Sequence, residues 1–379
     1  MTGTAPARIL FHGAEFAPGS VAVELASWLA TRAVSVEVVA ANDGEGWWRS
    51  EERDGIKITL CPRRRAHHGE GLSRQLERTS FALSSAPILL RRARALRPQL
   101  LAAIEPTASD LPALRFAARH AGAATWVHLP EGSLREGAGR RARWLAHIDH
   151  VSLAAIDADS VLTAAGVAEE RRVALPPWTD TRAIFPLREQ WAIRQSLEIS
   201  KDAVVALYAG TLDETHGIEA LLGAARRMPR NGALVFVVSG RGPAWRRLAA
   251  AAQQLPLRLV PWPRADALNM LLNLADIHLL PAGLAAGDAL FPGKPAALLA
   301  SGRPLIAGGP VPERLRAAVE PVPRGADALA TAIVTLAAAP AEQIRRGEAA
   351  RRTAQDYHEK QRVFRQLERA LGLQGSSAA

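Results

Sequence analysis

Cysteine is almost missing from this chain of 379 residues: Cys61 stands alone, which excludes an internal disulfide framework and fits a reducing compartment. No Cys-His signature surrounds Cys61, so it reads as a small buried hydrophobe. Long apolar runs are missing as well. No stretch reaches the roughly 18–20 residues that a membrane-spanning helix needs. Ala326–Ala339 comes nearest, and Asp327, Thr331 and Thr335 interrupt it. The first strand pattern, Arg8–Phe11, follows no charged leader and apolar segment of the secretory kind. The expectation is a cytoplasmic protein, at most associated peripherally with the inner face of the membrane. Aromatic residues make up only 5% of the chain, so its cores must be packed mainly by Ala, Leu, Val and Ile. Lysine is scarce too: Lys57, Lys201, Lys294 and Lys360 are the only lysines among 47 basic residues.

What is present points to two domains. The length suits two domains of roughly 180 residues each, and apolar residues reach 48%, enough for two sizeable cores. The net charge of +10 suits anionic lipid headgroups or phosphorylated substrates, or is a solvated basic surface. Nucleic acid ranks last as a partner, because no aromatic-interleaved basic run or zinc-finger spacing occurs.

Short β-branched runs alternate with helical patterns, as in parallel βαβ units. The first half reads as strands at Arg8–Phe11, Val36–Ala40, Ile56–Leu60, Leu100–Ile104, Thr125–His128 and His150–Ala154, with helices at Val21–Arg32, Ser80–Leu96 and Leu111–Ala121. The second half reads as strands at Val204–Tyr208, Ala233–Val238, Leu257–Pro261, Ile277–Leu280 and Pro304–Ala307. Helices are expected there at Gly217–Met228, Ala244–Gln254, Ala265–Asn273, Pro295–Ala300 and Pro312–Ala318, with a long closing helix over Ala341–Leu371. The proline-bearing segment Pro176–Glu198 reads as the hinge. The expected fold class is α/β, two Rossmann-like doubly wound parallel-sheet domains facing a cleft. Their bounds are 1–180 and 181–345, followed over 346–379 by the end of the closing helix, which crosses back to the first domain, and a flexible tail.

The most informative segment runs from Leu279 through Asp288 and Pro292-Gly293-Lys294 to Ser301-Gly302-Arg303 and Gly308-Gly309. It reads as strand, small-residue loop, lysine at a helix start, short helix, and turn into another strand. Free N–H groups at a helix start, with a lysine beside them, suit a diphosphate. It is not a Walker A loop: five residues separate Gly287 from Gly293, and Pro295 stands where Ser or Thr must hold magnesium.

Taken with Tyr208-Ala209-Gly210-Thr211-Leu212-Asp213-Glu214-Thr215-His216-Gly217, Val238-Ser239-Gly240-Arg241-Gly242-Pro243 and Leu175-Pro176-Pro177-Trp178, this segment resembles glycosyltransferase family 4, of GT-B architecture. The branch it resembles is the colanic-acid-biosynthesis type, with its Pro-Ser-Lys and Ser-Gly-Arg motifs. The resemblance is strong from about Pro176 to Gly309 and suggestive before that. It implies transfer of a sugar from a nucleotide-sugar donor to a saccharide or lipid-linked acceptor in exopolysaccharide synthesis, with retention and without a metal or other cofactor. It implies a donor site on the second domain, where Lys294 and Arg241 face the diphosphate and Gly240, Gly308 and Gly309 permit close approach. Gly210 belongs to the same motif. Asp288 reads either as a loop solvator or as a ribose or sugar ligand, and Arg303 either as a ligand or as a turn residue.

The departures from the family are specific. Thr211 stands where many members place an Arg, and Thr215-His216 surrounds the usual Lys position. The paired glutamates are missing, falling near Ala289 and Ala297. Gly19 is all that remains of a longer donor-covering loop. Trp126-Val127-His128-Leu129-Pro130-Glu131 resembles the strand end that carries a catalytic His, making His128 and Glu131 the catalytic candidates; His128 reads equally as a structural histidine. Segment 84–101 interleaves Arg91, Arg92, Arg94 and Arg97 with Leu89, Leu90, Leu96 and Leu100. Such a helix either lies on an anionic membrane or turns its leucines to the core. Two rivals stay open: a catalytically impaired scaffold within a glycan assembly, and another GT-B enzyme such as a sugar-nucleotide epimerase.

Overall fold

The computed structural model describes residues 7–17, 20–32, 34–42, 47–64, 72–129, 144–155, 158–187, 191–229, 231–284, 288, 291 and 293–373. Two compact units emerge, one of Met1–Leu175 with Phe364–Ala379, the other of Pro176–Val363.

The first unit runs β1 (Arg8–Gly13), α1 (Val21–Ala30), β2 (Ser35–Asn42), β3 (Arg49–Arg53), β4 (Ile56–Pro62), α2 (Leu72–Leu96), β5 (Leu100–Ile104), α3 (Leu111–Ala121), β6 (Ala124–Leu129), β7 (His150–Leu153) and α4 (Ala158–Ala164). Its seven strands lie in the order β3-β4-β2-β1-β5-β6-β7. All pair in parallel except β3, which runs antiparallel to β4 at the edge. Central strands are covered on both faces and therefore read as near-continuous apolar runs, as in Leu-Leu-Ala-Ala-Ile of β5. Ser20 starts α1 by accepting a hydrogen bond from the Val23 amide through its hydroxyl (3.3 Å), and Gly122 ends α3 in the left-handed conformation. Leu89 is buried in the core beneath α2 and Leu100 is buried in β5, so these leucines of segment 84–101 face the protein interior.

The second unit runs α5 (Trp191–Ser196), β8 (Val204–Thr211), α6 (Ile218–Arg226), β9 (Leu234–Arg241), α7 (Trp245–Ala252), β10 (Leu257–Pro261), α8 (Leu268–Asn273), β11 (Ile277–Leu280), α9 (Lys294–Ala300), β12 (Leu305–Gly308), β13 (Val319–Val322), α10 (Ala326–Ala337), α11 (Pro340–Tyr357) and α12 (Lys360–Ala370). The last helix passes from the second unit into the first at Phe364. The six strands are parallel throughout, in the order β10-β9-β8-β11-β12-β13. The side on which successive strands are added switches between β8 and β11, the switch point at which doubly wound sheets open a crevice for ligands. The α/β class and the parallel Rossmann-like sheets expected from the sequence are what the structure has.

Several elements differ from the reading of the sequence. Segment 312–318 forms only a single turn of 3-10 helix at Glu313–Leu315, leading into β13, which the sequence pattern did not reveal. The closing helix is two helices. It breaks at His358 because the Thr179 amide donates to the His358 carbonyl (2.9 Å) and the Lys360 amide donates to the Thr179 carbonyl (2.9 Å). The His358 Nδ1 bond to the Pro177 carbonyl (2.7 Å) fixes the break. Beyond it, α12 packs on α1: Phe364 meets Trp28 edge-on at 5.4 Å, and Trp28 Nε1 donates to Glu368 (3.1 Å).

Candidate functional site

The sequence-derived donor residues fall at the carboxyl ends of strands in the second sheet. Gly210 and Thr211 close β8, Gly240 and Arg241 close β9, and the two pairs are in register. The strand ends approach so closely that a Cβ at Gly240 would overlap the Gly210 carbonyl. Gly210 itself has φ 140°, and a side chain there would overlap Asp288 Oδ2.

Asp288, in the connection from β11 to α9, reaches back over this strand end. One oxygen accepts from the Thr211 amide (3.0 Å) and from Lys294 Nζ (3.2 Å). The other accepts from Thr211 Oγ1 (2.6 Å) and the Phe291 amide (3.2 Å). The ion pair is buried, its side chains 1% exposed at Asp288 and 5% at Lys294. Lys294 Nζ also lies 4.3 Å from the centre of the Tyr208 ring, whose hydroxyl donates to the Thr211 carbonyl (2.6 Å). Burial alone would raise the Asp288 carboxyl; the Lys294 charge and the Thr211 hydrogen bonds outweigh it and hold the acid below its ordinary value. Burial pushes Lys294 down, opposed by Asp288. The cluster thus presents a main-chain N–H, a hydroxyl and an ammonium converging on one anion.

Thr215 and His216 form a second, adjoining cluster around Asp213. Its Oδ1 is 2.6 Å from His216 Nδ1 and accepts from Thr215 Oγ1 (2.7 Å) and from the His216 amide (3.1 Å). Asp213 went unnoticed in the sequence, although an Asp three residues before a His is the pattern of a capped turn. The Arg241 side chain is exposed at the end of β9. Arg303 Nη2 donates to the Leu187 carbonyl (2.9 Å), a structural contact within the fold. Gly308 ends β12, and the Gly309 amide is already bonded to the Val322 carbonyl (2.7 Å), which leaves it no hydrogen for a phosphate. Beside Gly309 lies the Arg324 side chain, another exposed cation that the sequence reading passed over.

In the first unit, His128 ends one residue short of the β6 terminus and is fully buried. Its Nδ1 shares a hydrogen bond with Ser152 Oγ (2.9 Å), which also accepts from Trp126 Nε1 (2.9 Å). Nε2 has no partner among the described residues. Burial lowers the imidazole to about 4, so it is neutral at pH 7. A second buried histidine, His12 at the end of β1, bonds Ser85 Oγ through Nε2 (2.9 Å) and stacks on Phe81. Glu131 and Gly19 lie outside the described residues. Among the described residues no group of acidic, His or Cys side chains is arranged to hold a metal ion, and no helix is long and apolar enough to cross a membrane.

No protein-family profile matches the chain. It is 28% identical over 333 residues to WcaI of Escherichia coli (strain K12), named as a colanic acid biosynthesis glycosyl transferase, covering 78% of this chain and 81% of that one. Among solved structures it is similar to HepE of Anabaena in complex with UDP, with TM-score 0.73 at 16% identity over 96% of this chain and 99% of the other. It is also similar to sucrose-phosphate synthase of Thermosynechococcus elongatus, with TM-score 0.71 at 15% identity over 96% and 98%. WaaG, a glycosyltransferase involved in lipopolysaccharide biosynthesis, matches with TM-score 0.66 at 14% identity over 98% and 100%. The chain therefore has the GT-B fold, and its likeness to the colanic-acid-biosynthesis type of glycosyltransferase extends over most of its length.

Proposed function

We propose that the chain is a retaining, metal-independent glycosyltransferase of family 4 that acts in the synthesis of a cell-surface glycan. The bond between the anomeric carbon of the donor and its nucleoside diphosphate breaks, and a hydroxyl of a saccharide or lipid-linked acceptor takes the sugar and loses its proton. The nucleotide sugar is a substrate, and no cofactor takes part. The observation that carries this reading is the set of donors at the β8–β11 switch point, where Thr211 and Lys294 surround an anion. The likeness to WcaI, and the UDP held by HepE, support the same substrate class. Lys294, Arg241 and Thr211 contact the diphosphate in this reading, and domain 181–345 carries the donor. Domain 1–180, with His128 and Glu131, carries the acceptor, and α12 returns the chain to it.

The test is a thermal-shift titration with UDP. UDP is expected to raise Tm, and Lys294→Ala is expected to abolish the rise. If no nucleoside diphosphate binds at millimolar concentration, the proposal fails.

The scaffold reading draws on one observation: the lysine nearest the switch point is already neutralised by Asp288. Co-purification with a partner transferase, together with absent donor turnover, would favour it.

Contact with the membrane's inner face is the remaining part of the proposal. Its support is the exposed apolar group of Trp47, Trp48 and Leu83, in which Trp48 Nε1 donates to the Ser84 carbonyl of α2 (3.3 Å). Arg91 and Arg94 are exposed farther along the same helix.

A further inference from the structure

Asp288 reaches from the connection before α9 onto the end of β8 in the second unit. Among the described residues its carboxylate accepts from the Thr211 amide and hydroxyl, the Phe291 amide and the Lys294 ammonium. An ionised carboxylate is acceptor-only, and here both of its oxygens are engaged by those donors. The cradle donors Thr211 and Lys294 belong to strand β8 and helix α9, whereas the anion comes from the connection between β11 and α9. Gly210 has no side chain to hold that anion away, so it closes directly over the strand end.

Both charges are withdrawn from solvent, 1% exposed at Asp288 and 5% at Lys294, so a second anion cannot reach Lys294 while the pair is intact. We infer that Asp288 is a built-in occupant of the phosphate subsite: its carboxylate stands where a phosphate oxygen of the donor is received, and binding of the nucleoside diphosphate displaces it. The inference rests on the donor-site reading above and adds the regulation of that site. An incoming diphosphate carries more charge and more acceptor atoms than a carboxylate, so it competes for the cradle where a neutral nucleoside does not. The ion pair keeps Lys294 compensated while no ligand is bound, since a buried ammonium left without a counter-charge is strongly unfavourable.

The experiment compares UDP binding by calorimetry in the full-length wild type and in Asp288→Asn. Loss of the competing charge is expected to tighten UDP by roughly tenfold or more, because the ligand then takes the place of the carboxylate beside Lys294. Unchanged or weaker binding overturns the inference, since Asp288 would then be neutral to the ligand or its partner. Should the variant fail to fold, the wild type decides by a crystal structure with UDP. A phosphate oxygen is expected on the Thr211 amide, with Asp288 beyond hydrogen-bond reach of it. Asp288 still bonded to both Thr211 and Lys294 beside bound UDP overturns the inference. Failure of the wild type to bind UDP at all is a different result: it removes the donor-site reading, and this inference with it.

Discussion

A methyl group on Gly210 would overlap Asp288 Oδ2 and lie 2.7 Å from Lys294 Nζ, in a backbone conformation that side chains rarely adopt. Gly210→Ala should therefore cost about 2–4 kcal/mol, from overpacking and backbone strain together. Urea unfolding is the check, and a loss below about 0.5 kcal/mol would mean that the cluster yields easily. The buried histidines make a second residue-scale case. His128 titrates near 6.5 when unfolded and is lowered to about 4 in the fold, by burial. Between those values the unfolded chain holds more protons, so stability rises with pH across that window. The contribution is fully present above pH 6.5 and is lost as pH falls toward 4, at about 1.4 kcal/mol per pH unit for each such histidine. His278, lowered to about 3 by burial and by the Arg303 and Lys294 charges, acts in the same direction in the second unit. His128→Asn is expected to flatten the pH dependence of unfolding by about one proton; an unaltered slope would contradict the neutral buried imidazole. At this scale the sequence was only partly legible. Asp288 and Lys294 both stood out, but that they satisfy one another depends on how a loop folds over β8, which spacing does not encode. His12 escaped notice because a histidine within an apolar strand looks like any other core position.

Among the elements, what the sequence displayed were apolar runs, and what it concealed were elements defined by their neighbours. Strands β1, β5, β8 and β11 were visible because each is buried on both faces. Strand β3, Arg-Ser-Glu-Glu-Arg, is polar and exposed at a sheet edge, held by pairing with β4 rather than by a buried face. The break between α11 and α12 was equally hidden, since its cause is Thr179, far away in sequence. Past that break, Phe364 is fully buried against Trp28. Phe364→Ala should destabilise the first unit by about 3–5 kcal/mol. The loss should appear in urea unfolding followed by tryptophan fluorescence. A change no larger than that of an exposed substitution would show that α12 docks loosely.

For the molecule as a whole, composition set firm bounds: the apolar content allowed two cores, and each sheet carries a buried apolar cluster. The charge of +10 was less informative, because it does not say where the cations stand. Expected membrane contact shifts from the leucines of segment 84–101 toward Trp47, Trp48 and Leu83, since Leu89 and Leu100 are core residues. Sedimentation with anionic vesicles should carry the protein down, less so as salt rises, and much less in a Trp47→Ser, Leu83→Ser double variant. Equal recovery with neutral vesicles would count against it. The docking of α12 on α1 also bears on how the protein is made. Trp28 and Glu368 are separated by 340 positions, yet both belong to the first unit. As the chain leaves the ribosome, its amino-terminal half therefore waits with α1 uncovered while the whole second unit is synthesised. The domain begun first is completed last, and in that interval the apolar side of Trp28 is open to a chaperone.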